Sequence, residues 1–144
     1  MDKNSENKKA ICAFLKKCGT YYLATVDGEG KPRVRPFGTI DLFETDEGYT
    51  ALTIQTGKIK DVSKQIHQNP DVEICAFDGE KWIRIQARAI ELDSVAAKKH
   101  MLDAYPSLRG MYDENDGNTE IFRLTDGTAT ISSFTSPKEE LQFA

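Results

Sequence analysis

The chain has 144 residues, 39% of them hydrophobic and 29% charged, with a formal net charge of -4 at pH 7. That length suits one domain with its own core, and the net acidity excludes the broad basic footprint of a general nucleic-acid binder. No run of about eighteen apolar residues offers a membrane span, and the polar start MDKNSENKKA lacks the apolar core of a secretory signal, so the expectation is a cytoplasmic protein.

In chain order, Ile11, Phe14, Leu15 and Cys18 recur at i, i+3, i+4 and i+7, with Asn4 or Ser5 as N-cap and Gly19 just past the end. This spacing predicts an amphipathic helix of about three turns. From Thr20 the chain turns to short runs of Tyr, Val, Ile, Thr and Phe, punctuated by Asp27-Gly28, Glu47-Gly48, Asp78-Gly79 and Asp126-Gly127. Such turn dipeptides between apolar runs predict antiparallel hairpins. Strands are expected near 20–27, 31–43, 49–55, 72–78, 82–92 and 119–134, the last open to a break at its own Asp-Gly turn. Two helices interrupt them. One spans 58–68, with Ile59, Val62 and Ile66 on one face and Asn69-Pro70 as its stop. The other runs from an Asp93 or Ser94 cap to Pro106. The acidic stretch 111–118 reads as a mobile loop without chemistry, and the tail SPKEELQFA has no assignable pattern. The fold class is therefore α+β, mainly β: one domain over 1–144 built as a six- to seven-stranded antiparallel barrel with flanking helices.

Three groups of residues carry candidate chemistry. Along 82–90, Ile83, Ile85, Ala87 and Ala89 face one way, while Trp82, Arg84, Gln86 and Arg88 face the other. The second face is either solvated or one wall of a cleft. Arg33 and Arg35 project from one side of their strand together with Phe37, a fork suited to phosphate or carboxylate, unless both arginines pair with surface acids. The stretch TIQTGKIKDVSKQIHQNP, from Thr53 to Pro70, places Thr56 and Gly57 where a strand should yield to a helix. Free backbone N–H groups, a hydroxyl and the Lys58 and Lys60 amines would converge there on one anion; the alternative is a lysine-rich solvated face, to which Lys64 belongs.

Other chemistries lack their residues. His67 and His100 fall on separate helices without a metal-ligand pattern, so they read as surface or boundary residues and no metal is expected. Cys12, Cys18 and Cys75 form no CxxC pair and read as reduced thiols. No G-x-S-x-G elbow, P-loop or G-x-G-x-x-G fingerprint is present. An enzyme with this sequence would rely on a bound cofactor.

The order of a helix, the hairpin strand GEGKPRVRPFG, the strand YTALTIQTGK running into KIKDVSKQIHQNPDVEI, and then GEKWIRIQARA resembles the pyridoxamine 5'-phosphate oxidase-like family of FMN-binding split barrels, over about residues 8–135. The resemblance implies FMN bound between the two subunits of a homodimer. It implies a phosphate held by Arg35, or by Arg33 as second choice, and by the turn Thr56, Gly57, Lys58 and Lys60. The flavin ring would lie along Arg35-Pro36-Phe37 and near Thr53, and Trp82 would replace a polar residue that contacts it. No catalytic residue is implied. The basic C-terminal segment that grips substrate phosphate in true pyridoxamine phosphate oxidases has no counterpart, and TGKIK replaces their serine-arginine-lysine run. The implied activity is hydride or electron transfer between a reductant and a small organic molecule, not pyridoxal phosphate synthesis. The alternative is a non-catalytic module that binds or senses flavin, deazaflavin or haem.

Overall fold

Helix α1 (Lys3–Cys18) is longer than its apolar repeat suggests, because its cap lies upstream of the expected Asn4 or Ser5. The Asp2 carboxylate accepts from the Ser5 N–H at 2.7 Å, and Gly19, at φ +80°, closes the other end by donating its N–H to the Leu15 carbonyl. Residues 2–144 are described by this computed structural model. They continue as β1 (Tyr21–Val26), β2 (Pro32–Phe37), β3 (Asp41–Glu44), β4 (Thr50–Gly57), α2 (Asp61–Gln68), β5 (Asp71–Phe77), β6 (Trp82–Glu91), α3 (Val95–Ala104), a 3-10 turn (Pro106–Gly110), β7 (Thr119–Ser132) and β8 (Glu139–Phe143).

All eight strands join one antiparallel sheet in the order β2-β1-β5-β6-β7-β4-β3, with β8 paired to β7. The two ends of that path, β2 and β3, do not pair with each other, so the curled sheet is an open, split barrel. The strand count exceeds the expected six or seven for two reasons. The predicted 31–43 run breaks at Gly38–Ile40 into β2 and β3, and the unassigned tail supplies β8.

The expected hairpin at Asp126-Gly127 does not form. Strand β7 runs through it as a bulge: Gln86 pairs with Thr128 while Arg88 pairs with Thr125, leaving Asp126 at φ +52°. The bulge lets one long strand serve two partners, β4 with its first half and β8 with its second. An apolar row runs across the interior through Leu23, Ile74, Ile85, Ala129 and Leu141 on five adjacent strands. Each large aliphatic buried there contributes roughly 1.5–3 kcal/mol. Ile11 and Leu15 of α1 and Val62 and Ile66 of α2 complete the same core. The α1 docking is polar at its edge, where Asn7 donates to the Gln142 carbonyl at 2.7 Å and Lys8 to the Thr50 carbonyl at 2.7 Å.

Gly127 lies opposite Phe143, and a Cβ added there would overlap the Phe143 ring. Gly127→Ala should therefore destabilise the fold by about 1–3 kcal/mol, read as a lower urea midpoint, and the same substitution should cost less in a Phe143→Ala background, where the opposing ring is gone.

Candidate functional site

Arg35 occupies an unusual place for a charged residue. In register it faces Leu23, at the end of the buried row, so its side chain runs over the barrel interior and not outward. Its guanidinium donates to the Leu23 carbonyl at 3.2 Å, to Thr25 Oγ1 at 2.9 Å and to Gln65 Oε1 at 2.7 Å, while Thr25 itself donates to Gln65 Oε1 at 2.6 Å. A fourth bond, to the Arg33 carbonyl at 3.4 Å, is to a neutral acceptor like the other three. Among the described residues no carboxylate comes within 4.0 Å of Arg35, and burial pulls its pKa below the usual guanidinium value, with Asp61 acting weakly the other way. A half-buried guanidinium with neutral acceptors retains an unbalanced positive charge.

Lys60 supplies a second cation that has no carboxylate within 4.0 Å among the described residues. It precedes α2 as its N-cap residue and makes no side-chain capping bond; Ser63 donates its N–H to the Lys60 carbonyl at 3.1 Å, while the Asp61 and Val62 N–H groups have no acceptor among the described residues. The helix begins three residues later than expected, because β4 continues through Gly57, and the Gly57 carbonyl then accepts from the Lys60 N–H in a tight turn. The positive helix end therefore belongs to Lys60 and Asp61 and not to Thr56 and Gly57.

Between the end of β2 and the end of β4 lies a cavity of about 340 Å³, bordered by Arg35, Pro36, Phe37, Thr56 and Lys60. Its far wall was not legible in the sequence: Tyr105, Leu108 and Tyr112 come from the cap just after α3, the 3-10 turn and the loop after it. Its frame is rigid. The Tyr105 hydroxyl donates to the Ile40 carbonyl at 3.0 Å and accepts from the Ile40 N–H at 3.2 Å, and Thr39 Oγ1 accepts from the Gln55 N–H at 3.0 Å. Arg35 and Lys60 also border a shallower groove that contains Arg33, Asp61 and Gln65. Both cations thus stand at the junction of a half-open, aromatic-walled cavity and a polar groove.

The other expected site residues lie elsewhere. Arg33 pairs with Asp27 at 2.9 Å in the outer groove. Thr53 is buried, with its hydroxyl donating to the Asp41 carbonyl at 2.9 Å. Gly57 stands behind the cavity wall, where a Cβ would come to 3.1 Å from Tyr112 and Asn118. Lys58 turns away and pairs with Glu91 at 3.7 Å. Trp82 packs on Phe134 with ring centroids 5.1 Å apart, and Arg84 reaches Glu73 at 3.2 Å, both on the outer face of the sheet. Gln65 and Thr25, which sequence reasoning missed, are neutral residues made important by what they orient; Gln65 follows Val62 by three positions on α2, which was the one available signal.

The family model described as pyridoxamine 5'-phosphate oxidase matches residues 8–133. The chain belongs to the pyridoxamine 5'-phosphate oxidase family. A NimC/NimA family protein from Clostridium acetobutylicum is 37% identical to this family member and superposes with a TM-score of 0.88, covering 98% of this chain and 95% of that one. General Stress Protein 26 from Bacillus anthracis str. Sterne is 20% identical, with a TM-score of 0.66 over 93% of this chain and 98% of that one. A heme binding protein from Mycobacterium smegmatis is 16% identical, with a TM-score of 0.68 over 99% of this chain and 59% of that one. A search of curated proteins gives no significant match. Among the described residues no helix is long and apolar enough to cross a membrane.

The acidic loop beside the cavity is tied down in this family member, contrary to the sequence expectation. Partial burial raises the pKa of Asp116, but N–H donation from Thr119, Asp113 and Asn118, with the Thr119 hydroxyl, outweighs it and lowers the value to about 2. Asn118 in turn accepts from the Lys58 N–H at 2.8 Å and the Ile59 N–H at 3.2 Å, joining the loop to the turn before α2. Because the folded pKa is depressed, this contribution is complete above the unfolded value near 4 and is lost as the pH falls toward 2. Asp116→Asn should lower the urea midpoint at pH 7 and flatten its decline between about pH 4 and pH 2; equal slopes for both proteins would contradict this role.

Proposed function

We propose that this chain is a cytoplasmic, homodimeric FMN-binding protein that transfers hydride or electrons between a reductant and a small organic acceptor. One observation carries the reading: Arg35 and Lys60, neither with a carboxylate within 4.0 Å among the described residues, both border one cavity walled by aromatic residues. A phosphate suits the two cations and the N–H groups opening α2. An apolar ring suits Pro36, Phe37, Tyr105 and Tyr112.

The donor set therefore fits a phosphorylated flavin. Arg35 and Lys60 would hold its phosphate, with the Thr56 hydroxyl beside them, and the aromatic wall would keep bulk water from the ring. Bound flavin supplies the hydride-accepting chemistry. The chain's own part is binding, orientation and exclusion of water. Neither histidine borders the cavity, since His67 bonds to Glu120 at 2.7 Å and His100 lies 3.2 Å from Asp41. The haem alternative thus lacks a ring nitrogen at this position.

The outer sheet face supports the dimer. Tyr22, Val34, Phe77 and Phe134 are all more than half exposed on it, 52%, 68%, 58% and 88% respectively, next to Trp82. A monomer rarely leaves so many large apolar groups together in water, and a second copy would bury them.

Two measurements test the reading. Arg35→Ala combined with Lys60→Ala should weaken FMN binding in a fluorescence-quenching titration by at least tenfold, since hydrogen bonds to charged groups contribute about 1.5–3 kcal/mol each; unchanged affinity would reject the cleft. Tyr22→Glu with Val34→Glu should convert a dimer to a monomer by light scattering after size exclusion; a native monomer, or a dimer indifferent to both changes, would reject the face.

A further inference from the structure

On the far side of α2 from Arg35 lies a second polar cluster that the flavin reading does not use. Glu120, the second residue of β7, is 1% exposed, yet it carries a carboxylate. Ser63 donates its hydroxyl to Oε1 at 2.5 Å, and His67 Nε2 lies 2.7 Å from Oε2. Ser63 and His67 are one helical turn apart on α2, so one face of the helix clamps the carboxylate. Glu91, at the end of β6, brings a second carboxylate to 3.8 Å from the same imidazole nitrogen. The three ligand-type atoms all lie within 4.8 Å of one another.

We propose that His67, Glu91 and Glu120 form a divalent-cation site of the zinc type. The reasoning is electrostatic and geometric. Within 4.0 Å the buried Glu120 carboxylate has His67 as its ion-pair partner and no lysine or arginine among the described residues. Two carboxylates converge on the one imidazole, and the nearby ammonium, Lys58, reaches Glu91 at 3.7 Å and not Glu120. A buried unbalanced carboxylate is costly, and a dication removes the imbalance.

One imidazole and two carboxylates are a zinc-compatible donor set, with bonds of about 2.0–2.2 Å. Zinc would need the His67–Glu120 contact to open by several tenths of an ångström. His67 is exposed and Glu91 half-buried, so both side chains can make that adjustment, while Ser63 fixes Glu120 as an outer partner fixes a metal ligand. A cavity of about 300 Å³, walled by Ile66, Pro70 and Phe122, opens beside His67 and Glu91 and gives the ion an entry path and a place for a bound water.

The test titrates zinc chloride into metal-stripped full-length protein by calorimetry, in a Cys75→Ser background that removes the exposed thiol as a competing ligand. One zinc per chain is expected. His67→Gln and Glu91→Gln should each weaken it at least tenfold, while Lys58→Ala should tighten it by removing the competing ammonium. Both glutamine variants change partly exposed residues, so circular dichroism can confirm that they fold. No saturable binding, binding unchanged in either glutamine variant, or weaker binding in Lys58→Ala would overturn the site. The flavin cleft plays no part in the titration, and its failure would leave this result standing.

Discussion

A guanidinium held over the barrel interior by neutral acceptors is the constraint from which the cleft follows. Arg35 can occupy that place because Thr25 and Gln65 accept its hydrogen bonds without cancelling its charge. A carboxylate at either position would have filled the site from within. The arrangement requires α2 to be docked correctly, since Gln65 belongs to the helix and Arg35 to an edge strand. Val62 and Ile66 fix the helix by burial, and Ser63, also buried, fixes it by bonding Glu120 on β7. One short helix thus holds a cation on one side and an anion on the other, and moving it disturbs both.

Strand β7 plays the corresponding part for the sheet. Its bulge at Asp126 and Gly127 allows it to leave β4 and take up β8 without a break. The tail then closes over the core through Leu141 and Phe143 and anchors α1 through the Gln142 carbonyl. Helix α1 reaches β4 through Lys8, so the chain ends brace the strand whose far end borders the cavity. The stability of the remote tail and the shape of the cleft are connected through these contacts.

How much of this was legible depended on range. The alternation in 82–90 named the buried side of β6 correctly, because a period of two is local, and Gly19 marked the end of α1 for the same reason. The shared face of Arg33, Arg35 and Phe37 was legible too, but not that Asp27 would claim Arg33 and leave Arg35 free. The start of α2 was misread because pairing with β7 carries β4 through Gly57, and Lys58 then turns toward Glu91. Tyr105 and Tyr112 could not be found at all. They reach the cavity only once the segment after α3 has been laid against the ends of β2 and β4, and no spacing within their own segment marks that role.

The positions of Trp82 and Arg84 argue for what one copy cannot do. In register, Pro36 faces Tyr22, Tyr22 faces Cys75, and Cys75 faces Arg84, so Arg84 stands three strands from the cleft edge. At about 4.8 Å per strand, that separation is roughly 14 Å, too far for either side chain to join Arg35 around one phosphate in the same copy. Both nevertheless lie on the face where Tyr22, Val34 and Phe77 are left open to water. Pro36 belongs to that face and to the cavity at once. Burying the apolar face against a second copy would therefore bring the partner's sheet to the edge of this cleft, and the same contact that removes exposed aromatic surface would finish the wall around the ligand.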